Sequence, residues 1–286
     1  MARFPITELR KKKEGGEPIV SITAYDLFTA QLARDAGVDF VLVGDSLGNV
    51  IQGHATTVPV KLAEVIYHTR IVARALPEML VIGDMPFGTF KVSSEDTVRN
   101  ALTLFQEAGC GAVKMEGAEE GNLESIAKLR RIGVPVMGHL GLLPQRVFAS
   151  GGYRIQGRTK KSRERLLAEA KALEEAGAFA VVLECVEGRC AAEITGALGV
   201  PTIGIGSGPF TDGQILVMHD ALGMQAEYLP SFARRFAALY EEGLRGLQEY
   251  AQAVRSRAFP GPGEYTMVPE EAATGAEDRD KGAQTA

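Results

Sequence analysis

The sequence has few cysteines, no long apolar run and no excess of basic residues. Its three cysteines, Cys110, Cys185 and Cys190, are odd in number and lie mostly within apolar stretches, which favours a reducing compartment over a disulfide framework. No stretch approaches the roughly 20 apolar residues of a membrane span, and the N-terminus has no apolar signal core. The net charge of −5 argues against nucleic acid and anionic membranes as partners. We therefore expect a cytoplasmic protein that binds small molecules.

The length and composition fit one large α/β domain. With 286 residues and 45% hydrophobic content, the chain can bury the core of a barrel of alternating strands and helices. We expect a single catalytic domain over residues 1–262. Residues 263–286 are polar and lack apolar periodicity, so this C-terminal tail is predicted to be disordered.

One pattern recurs three times: an acidic helix end, a glycine, and an apolar run that ends on a carboxylate. The copies span residues 35–45, 107–116 and 175–184, and they end on Asp45, Glu116 and Glu184. A fourth apolar run, residues 80–83, is followed by Asp84. The glycine suits a left-handed helix cap, and a short apolar run of this kind is typical of a strand buried on both faces of a parallel sheet.

The four acids are candidates for chemistry because ligands bind beyond the carboxyl ends of parallel strands. Carboxylates gathered there repel one another unless they share a cation or a proton. A hard divalent metal relieves the repulsion, and an oxygen-rich ligand set favours Mg²⁺, with Mn²⁺ or Co²⁺ as substitutes. For Asp45 and the adjacent Ser46, the alternative role is to cap the next helix.

Three further residues lie beside these acids in the sequence. Lys114 is two residues before Glu116, so both side chains point to one side of a regular strand, into the barrel mouth; a structural salt bridge is the alternative. His139 follows another strand and is either functional or a hydrogen-bonded structural histidine, and no second histidine at ligand spacing indicates a zinc pair. Cys185 follows Glu184 and points to the opposite side of a regular strand, which speaks against a nucleophilic role.

The order of elements predicts a closed (β/α)8 TIM barrel. An open doubly wound sheet is the alternative, but the glycine cluster at residues 204–208 lacks the spacing of a dinucleotide-binding motif. A helix over residues 5–14 is expected to close the bottom of the barrel, and an extra C-terminal helix is expected within residues 232–258. Amphipathic helices are clearest over residues 93–108 and 162–176. The predicted strands cover residues 19–24, 40–44, 80–83, 112–115, 134–138, 180–183, 202–205 and 215–218.

Two long connections, residues 48–59 and 141–161, lie on the expected catalytic side. The second carries Arg146, Arg154 and Arg158 together with a Gly-Gly pair. Long glycine-containing loops beside an active site are often lids, and arginines suit an anionic ligand. A solvated loop is the alternative interpretation.

Several motifs together resemble those of the ketopantoate hydroxymethyltransferase family, in family order, from about residue 22 to residue 262. The resemblance implies that Asp45, Asp84 and Glu116 bind one Mg²⁺ per subunit. It implies that Asp45, Ser46, Asp84 and Lys114 contact a 2-oxo acid and that Glu184 is the proton acceptor; His139 is a further candidate. The motifs lie at residues 43–48, 52–54, 113–117, 138–142, 151–158, 182–185 and 211–220.

The resemblance also implies a reaction and an assembly. The family transfers a hydroxymethyl group from the co-substrate 5,10-methylenetetrahydrofolate to 3-methyl-2-oxobutanoate. The products are 2-dehydropantoate (ketopantoate) and tetrahydrofolate, on the path to pantothenate and coenzyme A. Family members are TIM barrels that assemble as homodecamers.

The residues fit this chemistry independently. A metal chelated by a 2-oxo acid acidifies the C3 hydrogen and stabilises the resulting enolate, and Lys114 adds positive charge near the enolate oxygen. Glu184 lies on a different strand from the expected metal ligands and can remain a free base. The nearest alternative is another Mg-dependent barrel enzyme acting on 2-oxo acids, of the carbon-carbon lyase or phosphoenolpyruvate mutase type. A barrel that only binds a ligand is the second alternative.

Overall fold

A computed structural model describes residues 6–152, 154–226 and 229–268. In this part of the chain, eight parallel strands pair in sequence order, and the eighth pairs with the first to close a barrel. The closed barrel confirms the predicted (β/α)8 fold and excludes the open sheet. The strands are β1 (Ile19–Thr23), β2 (Phe40–Val43), β3 (Leu80–Asp84), β4 (Ala112–Glu116), β5 (Val136–Gly141), β6 (Ala180–Glu184), β7 (Thr202–Ile205) and β8 (Gly213–Leu216).

Helices separate most of the strands, and one turn of 3₁₀ helix, Pro144–Arg146, lies in the connection after β5. The helices of the described residues are α1 (Ile6–Gly15), α2 (Leu27–Asp35), α3 (Leu47–Val50), α4 (Leu62–Ala75), α5 (Ser94–Ala108), α6 (Glu120–Arg131), α7 (Val147–Ser150), α8 (Lys160–Ala176), α9 (Gly188–Ala197), α10 (Met218–Ala221) and α11 (Leu239–Arg255). Within the described ranges, no helix has both the length and the apolar character needed to cross a membrane.

Helix α5 shows how the sequence sets the ends of these helices. The hydroxyl of Ser93 accepts a hydrogen bond from the backbone N–H of Asp96 at 3.0 Å, so the side chain of Ser93 caps the first turn of α5. At the other end, Gly109 adopts a left-handed conformation with φ of 67°, and Gly177 does the same after α8 with φ of 106°. The glycines of the recurring pattern therefore end these helices and turn the chain into β4 and β6.

The barrel is closed at its bottom by α1. Leu9 of this helix is fully buried in the apolar cluster that fills the barrel, together with Ile19 and Phe40, which begin β1 and β2. Ion pairs from Lys12 to Asp39 at 2.6 Å and from Lys13 to Asp212 at 2.8 Å hold the helix there. The predicted helical plug is confirmed.

Along the strands, side chains alternate between two apolar cores. In β2, Phe40 and Leu42 point into the barrel, while Val41 and Val43 pack against the helices outside it. This alternation follows from the period-two geometry of a strand. Because both faces are covered by apolar groups, the polar residues at the strand ends are the ones left facing a cavity.

Some predicted boundaries were wrong. Strand β8 begins at Gly213, two residues earlier than expected, where it pairs with Ile19 of β1. A side chain at Gly213 would collide with Ile19, so the glycine allows the two strands to approach there. The predicted strand ran to residue 218, but β8 ends at Leu216. Val217 lies between β8 and α10, and Met218 begins α10. Strand β5 runs on to Gly141 and so includes His139.

The chain divides into two compact units, one through Ala237 and one from Ala238. The second unit contains α11, which is shorter than the helical pattern over residues 232–258 suggested because the helix begins only after Ala238. Large apolar side chains of α11, including Leu247 and Tyr250, are exposed within the described residues. Residues 263–268 are exposed and lie outside helices and strands, whereas residues 269–286 of the predicted tail lie outside the described residues.

Candidate active site

The four carboxylates predicted from the strand ends line one cavity of about 740 Å³ at the carboxyl ends of the barrel strands. Asp45 follows β2, and the other three acids are the last residues of β3, β4 and β6: Asp84, Glu116 and Glu184. Ser46, Lys114 and His139 line the same cavity. The structure therefore brings together all the site residues that the sequence indicated.

Lys114 is a buried cation among these acids. Its Nζ atom lies 2.9 Å from Oδ1 of Asp84 and 3.2 Å from Nδ1 of His139. Burial opposes the charge of the ammonium group, but the facing carboxylates of Asp84, Glu116 and Asp45 outweigh it and raise the pKa of Lys114. Lys114 therefore carries a positive charge at neutral pH, at the wall of the cavity.

One ammonium group does not neutralise three neighbouring carboxylates. Burial raises the pKa of Asp84 to about 7, against the lowering effect of Lys114 and with a further rise from the charge of Asp45. Burial likewise raises the pKa of Glu116 well above its ordinary value, and that of Asp45 as well. The site thus holds an excess of acid groups that only a proton or another cation can offset.

Asp45 is held by a residue that no sequence pattern indicated. Gln145, in the 3₁₀ helix after β5, donates through Nε2 to Oδ2 of Asp45 and to the carbonyl oxygen of Met85, both at 2.9 Å. The backbone N–H of Asp45 donates to Oδ2 of Asp84 at 3.1 Å. Part of the long connection after β5, for which the sequence left a lid and a solvated loop open, is thus packed against Asp45. The only feature of the sequence that points to Gln145 is its position shortly after β5.

Ser46 precedes α3, but its side chain makes no capping hydrogen bond to that helix. Its hydroxyl lies 2.7 Å from the hydroxyl of Tyr25 instead. Tyr25 is fully buried, and burial raises the pKa of its phenol. The capping interpretation of Ser46 is therefore wrong, and Tyr25 is a second residue that the sequence did not indicate.

His139 connects Lys114 with Glu184. Its Nε2 atom lies 3.3 Å from Oε2 of Glu184, and its Nδ1 atom lies 3.7 Å from Oε1 of Glu116. Burial and the charge of Lys114 lower the pKa of His139 well below its ordinary value, so the ring is neutral. Because Nδ1 accepts from the Lys114 ammonium group, the ring proton is on Nε2, which lies near Glu184 but forms no hydrogen bond in the conformation described.

Glu184 has the properties of a general base. Burial raises its pKa to about 7, and the charge of Lys114 limits the rise. A base whose pKa is near neutral is partly deprotonated at neutral pH and is still basic enough to take a proton from a substrate. A side chain at Gly141, whose φ is 96°, would collide with the backbone carbonyl of Glu184. The glycine at the end of β5 therefore allows β6 to approach closely at Glu184.

The expected orientation of Cys185 was wrong. Its φ of 49° is left-handed, so the strand alternation ends after Glu184 and Cys185 also lines the cavity. Burial raises the pKa of its thiol to about 11, with a contribution from the charge of Glu184. The thiol therefore stays protonated, and its chemistry still speaks against a nucleophile.

The arginines of the long connection have different surroundings. Arg154 lines the cavity, as expected for a residue that contacts an anionic ligand. Arg146 pairs with Oε1 of Glu119 at 2.7 Å, and Arg158 is exposed and does not line the cavity. The prediction of an arginine beside the ligand therefore fits Arg154 best.

The donor set of the acid cluster fits a hard divalent cation. All its donors are carboxylate oxygens, and both oxygens of Glu116 are buried without a hydrogen-bond partner. In the conformation described, Lys114 pairs with Asp84, and no group of three or more His, Cys, Asp or Glu side chains among the described residues forms a metal-binding arrangement. Asp45, Asp84 and Glu116 as metal ligands remain a prediction, supported by donor chemistry and by the unpartnered oxygens.

Barrel enzymes carry their reacting groups at the carboxyl end of the strands, and a candidate base stands there beside a buried cation. Fold and site together define an enzyme of the TIM-barrel class. The chain belongs to the ketopantoate hydroxymethyltransferase family, whose model matches residues 3–262. The resemblance noted from the sequence motifs is confirmed.

Curated relatives named 3-methyl-2-oxobutanoate hydroxymethyltransferase match this chain over most of their length. The 3-methyl-2-oxobutanoate hydroxymethyltransferase of Thermotoga maritima is 49% identical over 253 residues, which cover 88% of this chain and 93% of the relative. That of Pyrococcus furiosus is 51% identical over 252 residues, covering 88% of each chain. Among solved structures, a phosphoenolpyruvate phosphomutase from Streptomyces platensis superposes with a TM-score of 0.59, 13% identity and 88% coverage of both chains. At that identity the likeness shows the fold alone.

Proposed function

We propose that the protein transfers a hydroxymethyl group from 5,10-methylenetetrahydrofolate to 3-methyl-2-oxobutanoate, giving 2-dehydropantoate and tetrahydrofolate for pantothenate and coenzyme A biosynthesis. The family and the names of its relatives indicate this activity. The observation that carries the proposal is Glu184, a base with a pKa of about 7 that shares the cavity with the acid cluster but ends a strand, β6, not adjacent to β2, β3 or β4.

The 2-oxo acid binds in the deep part of the cavity. Lys114 supplies a positive charge for its anionic oxygens, and the hydroxyl of Ser46 supplies a hydrogen-bond donor. Asp45 and Asp84 line the same cavity and would hold a divalent cation there. The cavity volume of about 740 Å³ is that of sites for drug-sized ligands, which leaves room for the folate co-substrate beside the small acid.

Asp45, Asp84 and Glu116 would hold one Mg²⁺ per subunit. When bound, the ion polarises the carbonyl of the 2-oxo acid and so makes the C3 proton more acidic. Glu116 suits this role because both its oxygens are buried without a hydrogen-bond partner. Binding of a cation also lowers the pKa values that burial raises in Asp84 and Glu116.

Proton transfer is assigned to Glu184. Its carboxylate takes the C3 proton, and the neutral ring of His139 lies beside it, with Nε2 3.3 Å from Oε2 of Glu184. Lys114 stabilises the negative charge that develops on the keto oxygen. Carbon C3 then forms a bond to the methylene carbon of the folate co-substrate, while the bonds from that carbon to the two folate nitrogens break. Water supplies the hydroxyl oxygen, and the C3 proton and one water proton end on the nitrogens of tetrahydrofolate.

A mutase or lyase activity has no comparable support. The structural neighbour with a phosphomutase name shares 13% identity with this chain, and the protonated thiol of Cys185 is a poor nucleophile. We further propose, from the resemblance to the family, a cytoplasmic protein that assembles as a homodecamer.

The proposal is tested by proton exchange at C3 of 3-methyl-2-oxobutanoate in deuterated water, followed by NMR without folate. We expect exchange in the presence of Mg²⁺ and its loss after addition of a chelator, because abstraction of the C3 proton precedes transfer. Addition of 5,10-methylenetetrahydrofolate should then yield 2-dehydropantoate. Absence of exchange by folded, Mg²⁺-loaded protein would contradict the proposal.

A further inference from the structure

The hydroxyl of Ser46 is held from behind by Tyr25. The two oxygens are 2.7 Å apart, and Tyr25 is fully buried, whereas Ser46 lines the cavity. Tyr25 is not among the residues of the cavity wall. Any influence of its phenol on a ligand therefore passes through Ser46.

The fold fixes Tyr25 at several points. Its backbone N–H donates to the hydroxyl of Thr29 at 3.0 Å, and its carbonyl oxygen lies 2.6 Å from Nδ1 of His68. Its ring packs against that of His219 with centroids 5.6 Å apart. A phenol fixed in this way presents its hydroxyl at one position, which is a condition for positioning another group accurately.

The burial of the phenol sets the direction of its hydrogen bond to Ser46. Tyr25 is fully buried, so the proton of its hydroxyl needs an acceptor within the protein. The hydroxyl oxygen of Ser46, 2.7 Å away, supplies that acceptor. The arrangement therefore favours donation from Tyr25 to Ser46.

We infer that Tyr25 is a positioning residue that occupies an acceptor site of Ser46 and so directs the Ser46 proton to an oxygen of the bound 2-oxo acid. Ser46 is free for this task because its side chain does not cap α3. Gly44 contributes space, since a side chain there would come within 2.8 Å of the Ser46 hydroxyl oxygen. The inference rests on the proposed binding of the 2-oxo acid.

The test is a double-mutant cycle with Tyr25→Phe and Ser46→Ala. Binding of 3-methyl-2-oxobutanoate to the full-length, Mg²⁺-loaded protein is measured by calorimetry, and C3 exchange is measured at saturating acid. Ser46→Ala should weaken binding roughly 10- to 100-fold, the loss of a hydrogen bond to a charged group. Tyr25→Phe should weaken it roughly 2- to 10-fold, with little change in the exchange rate at saturation, and should add nothing in the Ser46→Ala background.

Controls separate this role from a general loss of structure. Tyr67→Phe removes the hydroxyl of an exposed tyrosine and should leave binding unchanged, and the thermal unfolding midpoint of Tyr25→Phe should stay near that of the parent. Equal weakening by Tyr25→Phe with and without Ser46, or no weakening at all, would overturn the inference while leaving the proposed function standing. Failure of the unmodified protein to bind the acid would instead contradict the proposed function.

Discussion

The Nε2 atom of His139 lies 3.3 Å from Oε2 of Glu184, while Nδ1 of the same ring lies 3.2 Å from the ammonium group of Lys114. The lysine fixes which ring nitrogen carries the proton: Nδ1 accepts from the ammonium group, so the proton is on Nε2, the nitrogen nearer Glu184. A neutral residue on β5 thus lies between a cation on β4 and the candidate base on β6.

Glu184 should give the exchange reaction a characteristic pH dependence. The groups that face it are His139 of β5, Lys114 and Glu116 of β4, and Cys185 of its own segment. Because burial raises the pKa of Glu184 to about 7, the base is mostly protonated below that pH. We expect the C3 exchange rate to rise about tenfold per pH unit below pH 7 and to level off above it. A rate independent of pH between 5 and 8 would contradict the assignment.

Gln145 should affect metal binding without being a ligand. Gln145→Leu removes the hydrogen bond to Oδ2 of Asp45, so the carboxylate loses its fixed orientation. Loss of such a supporting hydrogen bond typically lowers metal affinity roughly 10- to 100-fold. Calorimetry with Mg²⁺ measures the effect, and Gln106→Leu, on the exposed side of α5, is the matched control. Unchanged Mg²⁺ affinity in Gln145→Leu would show that Asp45 is not a ligand or needs no support.

Asp84 tests the metal site directly. Asp84→Asn keeps an oxygen that can accept from the N–H of Asp45, now 3.1 Å from Oδ2, so the fold should persist. A neutral amide is a poorer ligand for a hard cation. We expect weaker Mg²⁺ binding and loss of C3 exchange, with Asp35→Asn, an exposed change on α2, as control. Retention of full Mg²⁺ affinity would remove Asp84 from the ligand set.

The C-terminal tail should be dispensable. Deletion of residues 272–286, which lie outside the described residues, removes a polar sequence without apolar periodicity. We expect the thermal unfolding midpoint and the mass of the native assembly to be unchanged. A large loss of either would show that the tail makes contacts that its composition does not indicate.

The fold could be predicted from the sequence because its signals are local. The recurring pattern joins a helix end, a glycine and a buried strand, and the carboxyl ends of parallel strands necessarily meet at one end of the barrel. Asp45, Asp84, Glu116 and Glu184 were found for that reason. Lys114 was found because strand alternation places it on the side of Glu116.

The missed features depend on tertiary contacts or on local backbone exceptions. Gln145 reaches Asp45 across one hundred residues of sequence, and Tyr25 meets Ser46 only because β1 and β2 are neighbours in the barrel. Cys185 was placed on the wrong side since its left-handed φ breaks the alternation assumed for a regular strand. Neither a long-range hydrogen bond nor a single positive φ leaves a periodic trace in the sequence.

The most direct measurement compares Glu184→Gln with the unmodified protein in C3 exchange, turnover and ligand binding. Glutamine keeps the shape and the hydrogen bonding of the side chain but cannot accept the proton. We expect Mg²⁺ and 3-methyl-2-oxobutanoate to bind with near-normal affinity, while exchange and turnover fall together by roughly 10²- to 10⁴-fold. Glu124→Gln, an exposed change on α6, should leave both rates unchanged. Loss of Mg²⁺ or acid binding in Glu184→Gln, or exchange that survives while turnover falls, would contradict the assignment of Glu184 as the base.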